Sequence, residues 1–245
     1  MGYTLLMVND LSATAFWTIW PYLLAFGLSF MIVDVKEKSP KHAKISLKML
    51  QQQLPMVIFL LGTVLLTDTT HTITVFYNQL QYVRSGIDQA YFGLLYLTMQ
   101  LVGLGAGSLG IISRYIKIEK LAVILYIACG SVCFSLIYIT TPYLSIVALM
   151  GLMLIEALFL PIVSTLQQRN IIDGHRASTI SIYSLITNFF GMFTSVSLGS
   201  AANSSLPKAY MVAGIFCLSG MLLYLGWYKW FGQNKDAHKN DLLEE

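Results

Sequence analysis

The stretch PMVIFLLGTVLLTDTTHTITVFY, residues 55–77, is long and apolar enough to cross a bilayer, yet it contains Asp68 and His71. A membrane-spanning helix needs about 20 predominantly apolar residues. A charged side chain near the bilayer centre costs at least ~2.5 kcal/mol on insertion scales, so ionisable residues there usually face a protein interior or an aqueous cavity. The stretch therefore predicts a transmembrane helix that carries a buried polar feature.

The rest of the chain repeats this apolar pattern. Of its 245 residues, 56% are hydrophobic and 11% are charged, with a mean hydropathy of +0.67, which lies outside the range of soluble globular proteins. Open strands cannot cross lipid, so the apolar windows are predicted to be helices. We predict an all-α polytopic membrane protein with seven transmembrane helices, the other windows lying near residues 11–33, 91–113, 119–140, 143–165, 178–200 and 209–231.

The basic residues predict the orientation of these helices. If residues 34–54 are cytoplasmic, thirteen of the fifteen Lys and Arg residues fall in cytoplasmic loops or the tail, and only Arg84 and Lys208 fall outside. Because Lys and Arg concentrate on the cytoplasmic side, we expect an external N-terminus and a cytoplasmic C-terminus in a bacterial cytoplasmic membrane. The net charge of +3 is spread over short loops and predicts no nucleic-acid partner.

A charged break divides the chain into four parts. Residues 34–54 separate an orphan first helix, residues 1–33, from six further helices, residues 55–231, which precede a cytoplasmic tail, residues 232–245. The charged residues of the break predict a solvated cytoplasmic linker next to the lipid surface.

The second window carries a polar stripe. Its members recur at spacings of three and four, which places them on one face of a helix: Thr63, Thr67, Thr70, His71, Thr74 and Asn78. Asp68 lies at the edge of this stripe, one turn from His71, close enough for the pair to share a proton or a hydrogen bond. We interpret the stripe as cavity-lining. The alternative is that the threonines bond to carbonyls of their own helix and that Asp68 ties two helices together.

Glu156, in GLMLIEALFLP, residues 151–161, is the other ionisable residue near a helix centre. Its neighbours three and four positions away are apolar, and Pro161 predicts a bend one turn later. We interpret Glu156 as a proton carrier, the alternative being a structural hydrogen bond to another helix. Asn188, in the sixth window, is a weaker candidate for a substrate contact among residues that otherwise suit helix packing.

Nothing in the sequence predicts an enzyme, a cofactor or a metal site. There is no HExxH motif, and His71 has no second ligand nearby in sequence. The three cysteines, Cys129, Cys133 and Cys217, lie within apolar runs and are interpreted as small hydrophobic residues.

Other membrane proteins also have seven helices. The count suits a sugar carrier built of three helices, one helix and three helices, and it also suits a receptor-like bundle. A retinal-binding bundle would need a lysine in its last helix, and residues 209–228 contain none.

Three fragments resemble transporters of the major facilitator superfamily. QQRNIIDGHRASTISIYSL, residues 167–185, resembles the loop between the tenth and eleventh helices of that family. FYNQLQYVRSGIDQAYFGLLY, residues 76–96, is similar to the outer loop before helix eight, and GLGAGSLGIISRYIKIEK, residues 103–120, is similar to the end of that helix and its basic loop. The residues that carry the first likeness are Asn170, Arg176, Ala177, Thr179 and Ser181.

The resemblance implies a fold and a function. It implies that residues 55–231 are the carboxyl-terminal half of a facilitator, whose six helices form two three-helix repeats. The first predicted helix would be the helix that precedes this half, and the first five helices of the family would be absent. It further implies a proton-coupled secondary transporter in the lipid bilayer, with efflux of a small-molecule substrate that the negative charges of this half predict to be amphipathic or cationic. A second polypeptide or a homodimer would supply the other half.

The expected substrate and proton pathway follows from the polar residues and the resemblance together. It consists of Asp68, His71, Glu156, Thr67, Thr70, Asn78 and Asn188. The alternative function is a non-transporting membrane protein or remnant that only pairs with another transporter half.

Overall fold

Every regular element in the described part of the chain is helical. The structure, a computed structural model, describes residues 54–169 and 176–229, with a few helical positions among residues 19–28. A π-helical segment, Thr72–Tyr77, joins the first two helices, and 3₁₀ segments, Gln89–Tyr91 and Leu104–Ser108, flank the third. The helices are α1 (Leu54–His71), α2 (Asn78–Arg84), α3 (Phe92–Gly103), α4 (Leu109–Tyr115), α5 (Ile118–Leu136), α6 (Pro142–Arg169), α7 (Arg176–Ser204) and α8 (Leu206–Trp227).

These elements form six helical rods that are long and apolar enough to cross a membrane, which indicates an integral membrane protein. They correspond to six of the seven predicted windows and confirm the all-α membrane class. The rods are Pro55–Arg84, Gln89–Tyr115, Ile118–Leu136, Pro142–Arg169, Thr179–Ser204 and Leu206–Trp227.

Some predicted features lie outside the described residues. They include nearly all of the first window, residues 11–33, together with the linker up to residue 53 and the tail from residue 232. Of the loop motif, Asn170 is also outside, and Arg176 and Ala177 are described only as backbone at the start of α7.

Helix α1 is the central element of the bundle, because it packs against α6, α7 and α8. Its closest approach is to α8, where two glycines face each other. A Cβ atom added to Gly62 would lie 2.9 Å from the carbonyl oxygen of Gly220, and one added to Gly220 would lie 2.8 Å from that of Gly62. Small residues at such a crossing let backbones approach closely, which is the usual way in which membrane helices associate.

A buried polar cluster at one end explains why the first rod continues past the predicted end at residue 77. The side chain of Gln81 donates to the carbonyl oxygen of Ile139 and the hydroxyl of Ser145, both at 2.9 Å, and accepts from the hydroxyl of Tyr210 at 3.2 Å. Arg84 donates to two carbonyl oxygens at the end of α5, those of Leu136 and Ile137. The unpaired carbonyls of a helix end are thereby satisfied, and helix α2 forms because these contacts hold it.

Candidate functional site

A cavity of about 480 Å³ lies between α1, α6 and α7. Its wall includes three residues of the predicted pathway, Thr67, Asp68 and Asn188, whereas Thr70, His71, Asn78 and Glu156 are not among the lining residues. Among the described lining residues there is no lysine or arginine, and Asp68 is the only one that carries a formal charge. The lining residues are Thr63, Val64, Thr67, Asp68, Leu160, Val163, Ser164, Gln167, Thr187, Asn188 and Gly191.

Asp68 connects α1 to α7 while it faces this cavity. Its Oδ2 atom accepts a hydrogen bond from the hydroxyl of Thr194 at 2.9 Å. The same oxygen lies against the backbone of Gly191, in the space that a Cβ atom would occupy. Asp68 therefore ties two helices together, as the alternative interpretation held, and also presents a half-buried carboxylate to the cavity.

We expect Gly191→Ala to displace the Asp68 carboxylate, because the added methyl group would overlap Oδ2. Overpacking of this kind typically costs about 1–3 kcal/mol, which thermal unfolding of the purified chain in detergent would measure. The matched control is Gly199→Ala on the same helix, where nothing lies within 4 Å of the added Cβ atom. That variant should be unchanged or up to about 1 kcal/mol more stable, because alanine is the better helix former. Equal stability of the two variants would contradict the placement of Asp68.

The second ionisable group of α1 has a different partner from the predicted one. His71 Nδ1 lies 3.2 Å from Glu156 Oε1, on α6, and not within hydrogen-bonding distance of Asp68. The expected Asp68–His71 pair is therefore wrong. Residues three apart on a helix are neighbours, yet here the two side chains diverge, Asp68 toward α7 and His71 toward α6.

Glu156 is buried and has two polar partners. Besides the contact with His71, its Oε2 atom accepts a hydrogen bond from the hydroxyl of Thr74 at 3.2 Å. The His71 side chain is 58% exposed, whereas that of Glu156 is 11% exposed. The arrangement can bind a proton at a buried carboxylate, while an exposed imidazole connects that carboxylate to the surroundings.

The π-helical segment begins immediately after His71 and contains Thr74. A π turn inserts an extra residue and so changes which side chains share a face of the helix, and such turns recur at functional sites. The hydroxyl of Thr74 also lies 2.9 Å from the carbonyl oxygen of Thr70, so its single proton is shared between that oxygen and Glu156. The segment thus places one hydroxyl between its own helix and Glu156.

The other threonines of the stripe are bonded to their own helix. The hydroxyls of Thr63, Thr67 and Thr70 donate to carbonyl oxygens three or four residues earlier, a common arrangement that leaves the hydroxyl oxygen free to accept. Thr67 still lines the cavity. Asn78 is buried near the other end of the rod, where its Oδ1 atom accepts from the backbone amide of Gln79 at 2.6 Å.

Sequence reasoning missed four residues of the site: Ser164, Gln167, Gly191 as a contact of Asp68, and Thr194. Ser164 and Gln167 follow Pro161 at steps of three on α6, and Thr194 follows Gly191 by three on α7. That spacing could have indicated a shared face.

An apolar groove of about 570 Å³ lies beside the cavity, also between α1 and α7. The two spaces share Val64, and Thr194, the hydrogen-bond partner of Asp68, lines the groove. A polar recess with one carboxylate therefore adjoins an aromatic, apolar one. The groove is lined by Leu61, Val64, Leu65, Phe189, Phe190, Met192, Phe193, Thr194 and Val196.

Comparison of the chain with protein-family models, with curated proteins and with solved structures found no match.

Proposed function

We propose that this chain is a six-helix half of a secondary active transporter of the major facilitator type, which exchanges protons for small cationic amphipathic solutes. The observation that carries the proposal is the carboxylate of Asp68 facing a cavity inside an apolar, membrane-length bundle. Ionisable groups in such positions are costly, and they commonly mark substrate or proton pathways. The resemblance of residues 167–185 to a facilitator loop supports the choice of family.

The substrate class follows from the two adjoining spaces. Asp68 attracts a positive charge, and no basic side chain among the described lining residues opposes it. The groove lined by Phe189, Phe190 and Phe193 suits an aromatic or alkyl portion, and aromatic faces also attract cations. A solute with one positive charge and an apolar body would use both spaces.

The proton site is the pair formed by His71 and Glu156. His71 lies three residues after Asp68 along α1, which corresponds to about 4.5 Å of rise. A cation bound at Asp68 favours loss of the proton from the pair, and a proton on the pair disfavours the cation. Competition of this kind is what an antiporter requires.

A second half would complete the transport path. Facilitators work by rocking two halves about a site between them, and the cavity here has walls from only one bundle. Helix α7 exposes a ridge of large apolar side chains beside the groove: Leu185, Phe189, Met192, Phe193 and Val196. We propose that another polypeptide or a second copy covers this side, in a bacterial cytoplasmic membrane with the N-terminus outside and the C-terminus in the cytoplasm.

We expect the purified chain, reconstituted at one copy per liposome, to give no flux of tetraphenylphosphonium above that of empty liposomes under a pH gradient. A single half cannot form both gates of a two-half cavity. Flux should appear only at densities where two copies pair, or when another half is supplied. Robust pH-driven flux by single copies would contradict the two-half proposal.

A further inference from the structure

All three cysteines of the chain converge at one point between α5 and α8. Cys129 and Cys133 lie four residues apart on α5, and Cys217 comes from α8. Their Sγ atoms all lie within 4.8 Å of one another, and the Cys129 and Cys217 sulfurs are 3.3 Å apart. Each side chain is fully buried. The convergence was not predictable from the sequence, because it depends on how two distant helices face each other.

Close packing of the two helices holds the thiols together. A Cβ atom added to Gly130 would make an ordinary van der Waals contact with Cys217 Cβ, at 3.7 Å, so the two helices pack directly against each other beside the cluster. Tyr126, one turn before Cys129, is also fully buried, and among the described residues its hydroxyl has no hydrogen-bond partner. The interface therefore contains three thiols and an unpaired phenol, where apolar side chains alone would pack with fewer unsatisfied groups.

We propose that Cys129, Cys133 and Cys217 form a binding site for a soft monovalent metal ion, Cu(I). Thiolate ligands select soft ions such as Cu(I). With a metal–sulfur distance of about 2.3 Å, the sulfurs of a trigonal site lie about 4.0 Å apart, a spacing that falls within the range the three atoms already span. Structural zinc sites take four ligands, and among the described residues this cluster offers three.

Cysteine binds a metal ion as its thiolate, so each sulfur that binds Cu(I) releases its thiol proton to solvent. The copper keeps its oxidation state, and no oxidant or reductant is needed. The site lies on α5 and α8, away from the cavity of α1, α6 and α7, and does not depend on the proposed transport function.

The test is an anaerobic titration of the purified full chain with Cu(I) in competition with the chelator bicinchoninate. We expect one equivalent of copper to bind, and X-ray absorption to show a shell of three sulfurs. Cys129→Ser, Cys133→Ser and Cys217→Ser should each weaken binding at least tenfold. Ser135→Ala, which removes an exposed hydroxyl on the same helix, should leave binding unchanged.

Two results would overturn the proposal. One is that the folded chain retains no Cu(I) against the chelator. The other is that copper remains bound, with an unchanged absorption spectrum, when all three cysteines are replaced. If a serine variant fails to fold, the sulfur count from X-ray absorption of the unmodified chain still decides, because a shell without three sulfurs contradicts the site.

Discussion

Replacing Asp68 with Asn should weaken binding of tetraphenylphosphonium to the purified chain at least tenfold, a loss of about 1.4 kcal/mol or more. Two opposite charges about 4 Å apart attract by about 4 kcal/mol at an effective dielectric constant near 20. Asp68 is half-buried, so solvent screens part of this attraction. Asn keeps the size of the side chain and can still accept from Thr194. The loss of affinity therefore measures the effect of the Asp68 charge and not that of its hydrogen bond to Thr194.

Equilibrium dialysis with labelled tetraphenylphosphonium measures this affinity, and neutral triphenylphosphine oxide tests whether charge is the cause. Its binding should change by less than about twofold, because it lacks the charge that Asp68 attracts. The matched control is Asp88→Asn, which removes the same charge at the exposed cap of a 3₁₀ segment, outside the cavity lining. Equal losses of tetraphenylphosphonium affinity in Asp68→Asn and Asp88→Asn would mean that the net charge of the chain, and not the cavity, determines the affinity.

Replacing both His71 and Glu156 with Gln should make tetraphenylphosphonium binding nearly independent of pH over roughly pH 6 to 8, the range in which histidine titrates. In the unmodified chain we expect affinity to rise with pH, because the protonated pair opposes a cation at Asp68. At a separation of about 10 Å and an effective dielectric constant near 20, this opposition is about 1.7 kcal/mol, or roughly tenfold in affinity. Gln retains hydrogen bonding but carries no titrating proton.

The single variants apportion this effect between the two groups. Glu156→Gln removes the buried carboxylate and leaves the exposed imidazole, so the change in pH dependence that it causes is the contribution of Glu156. Glu119→Gln is the matched control, because that carboxylate pairs with Arg169 at 3.5 Å and is not among the cavity-lining residues. If the affinity of the double variant still changed tenfold with pH, His71 and Glu156 would have no role in coupling cation binding to protons.

The fold class was predictable because it rests on local composition. The six apolar runs are each long enough to span lipid, and the structure places a helix at every one. The end of the first rod was not predictable, because residues 78–84 include the polar Asn78, Gln79 and Gln81 and the charged Arg84. They remain helical through contacts of Gln81 and Arg84 with residues that lie more than 50 positions away in the chain.

The ionisable residues of the candidate site were predictable, but their pairing and most of the cavity lining were not. Asp68, His71 and Glu156 were identifiable because ionisable groups are conspicuous in apolar runs. Their partners depend on helix rotation and on the π-helical segment, neither of which has a local signature here. Sequence spacing joined Asp68 to His71, whereas the bundle joins Asp68 to Thr194 and His71 to Glu156. The cysteine cluster was missed for the same reason.

We propose that the cavity at Asp68 takes up a cation in exchange for a proton held by His71 and Glu156. This exchange can be measured as proton release during tetraphenylphosphonium binding, followed in weakly buffered detergent solution with a pH indicator. We expect release of a measurable fraction of a proton per bound cation by the unmodified chain, and almost none when both His71 and Glu156 are replaced with Gln. Cation binding without any proton release from the unmodified chain, at every pH from about 6 to 8, would contradict it.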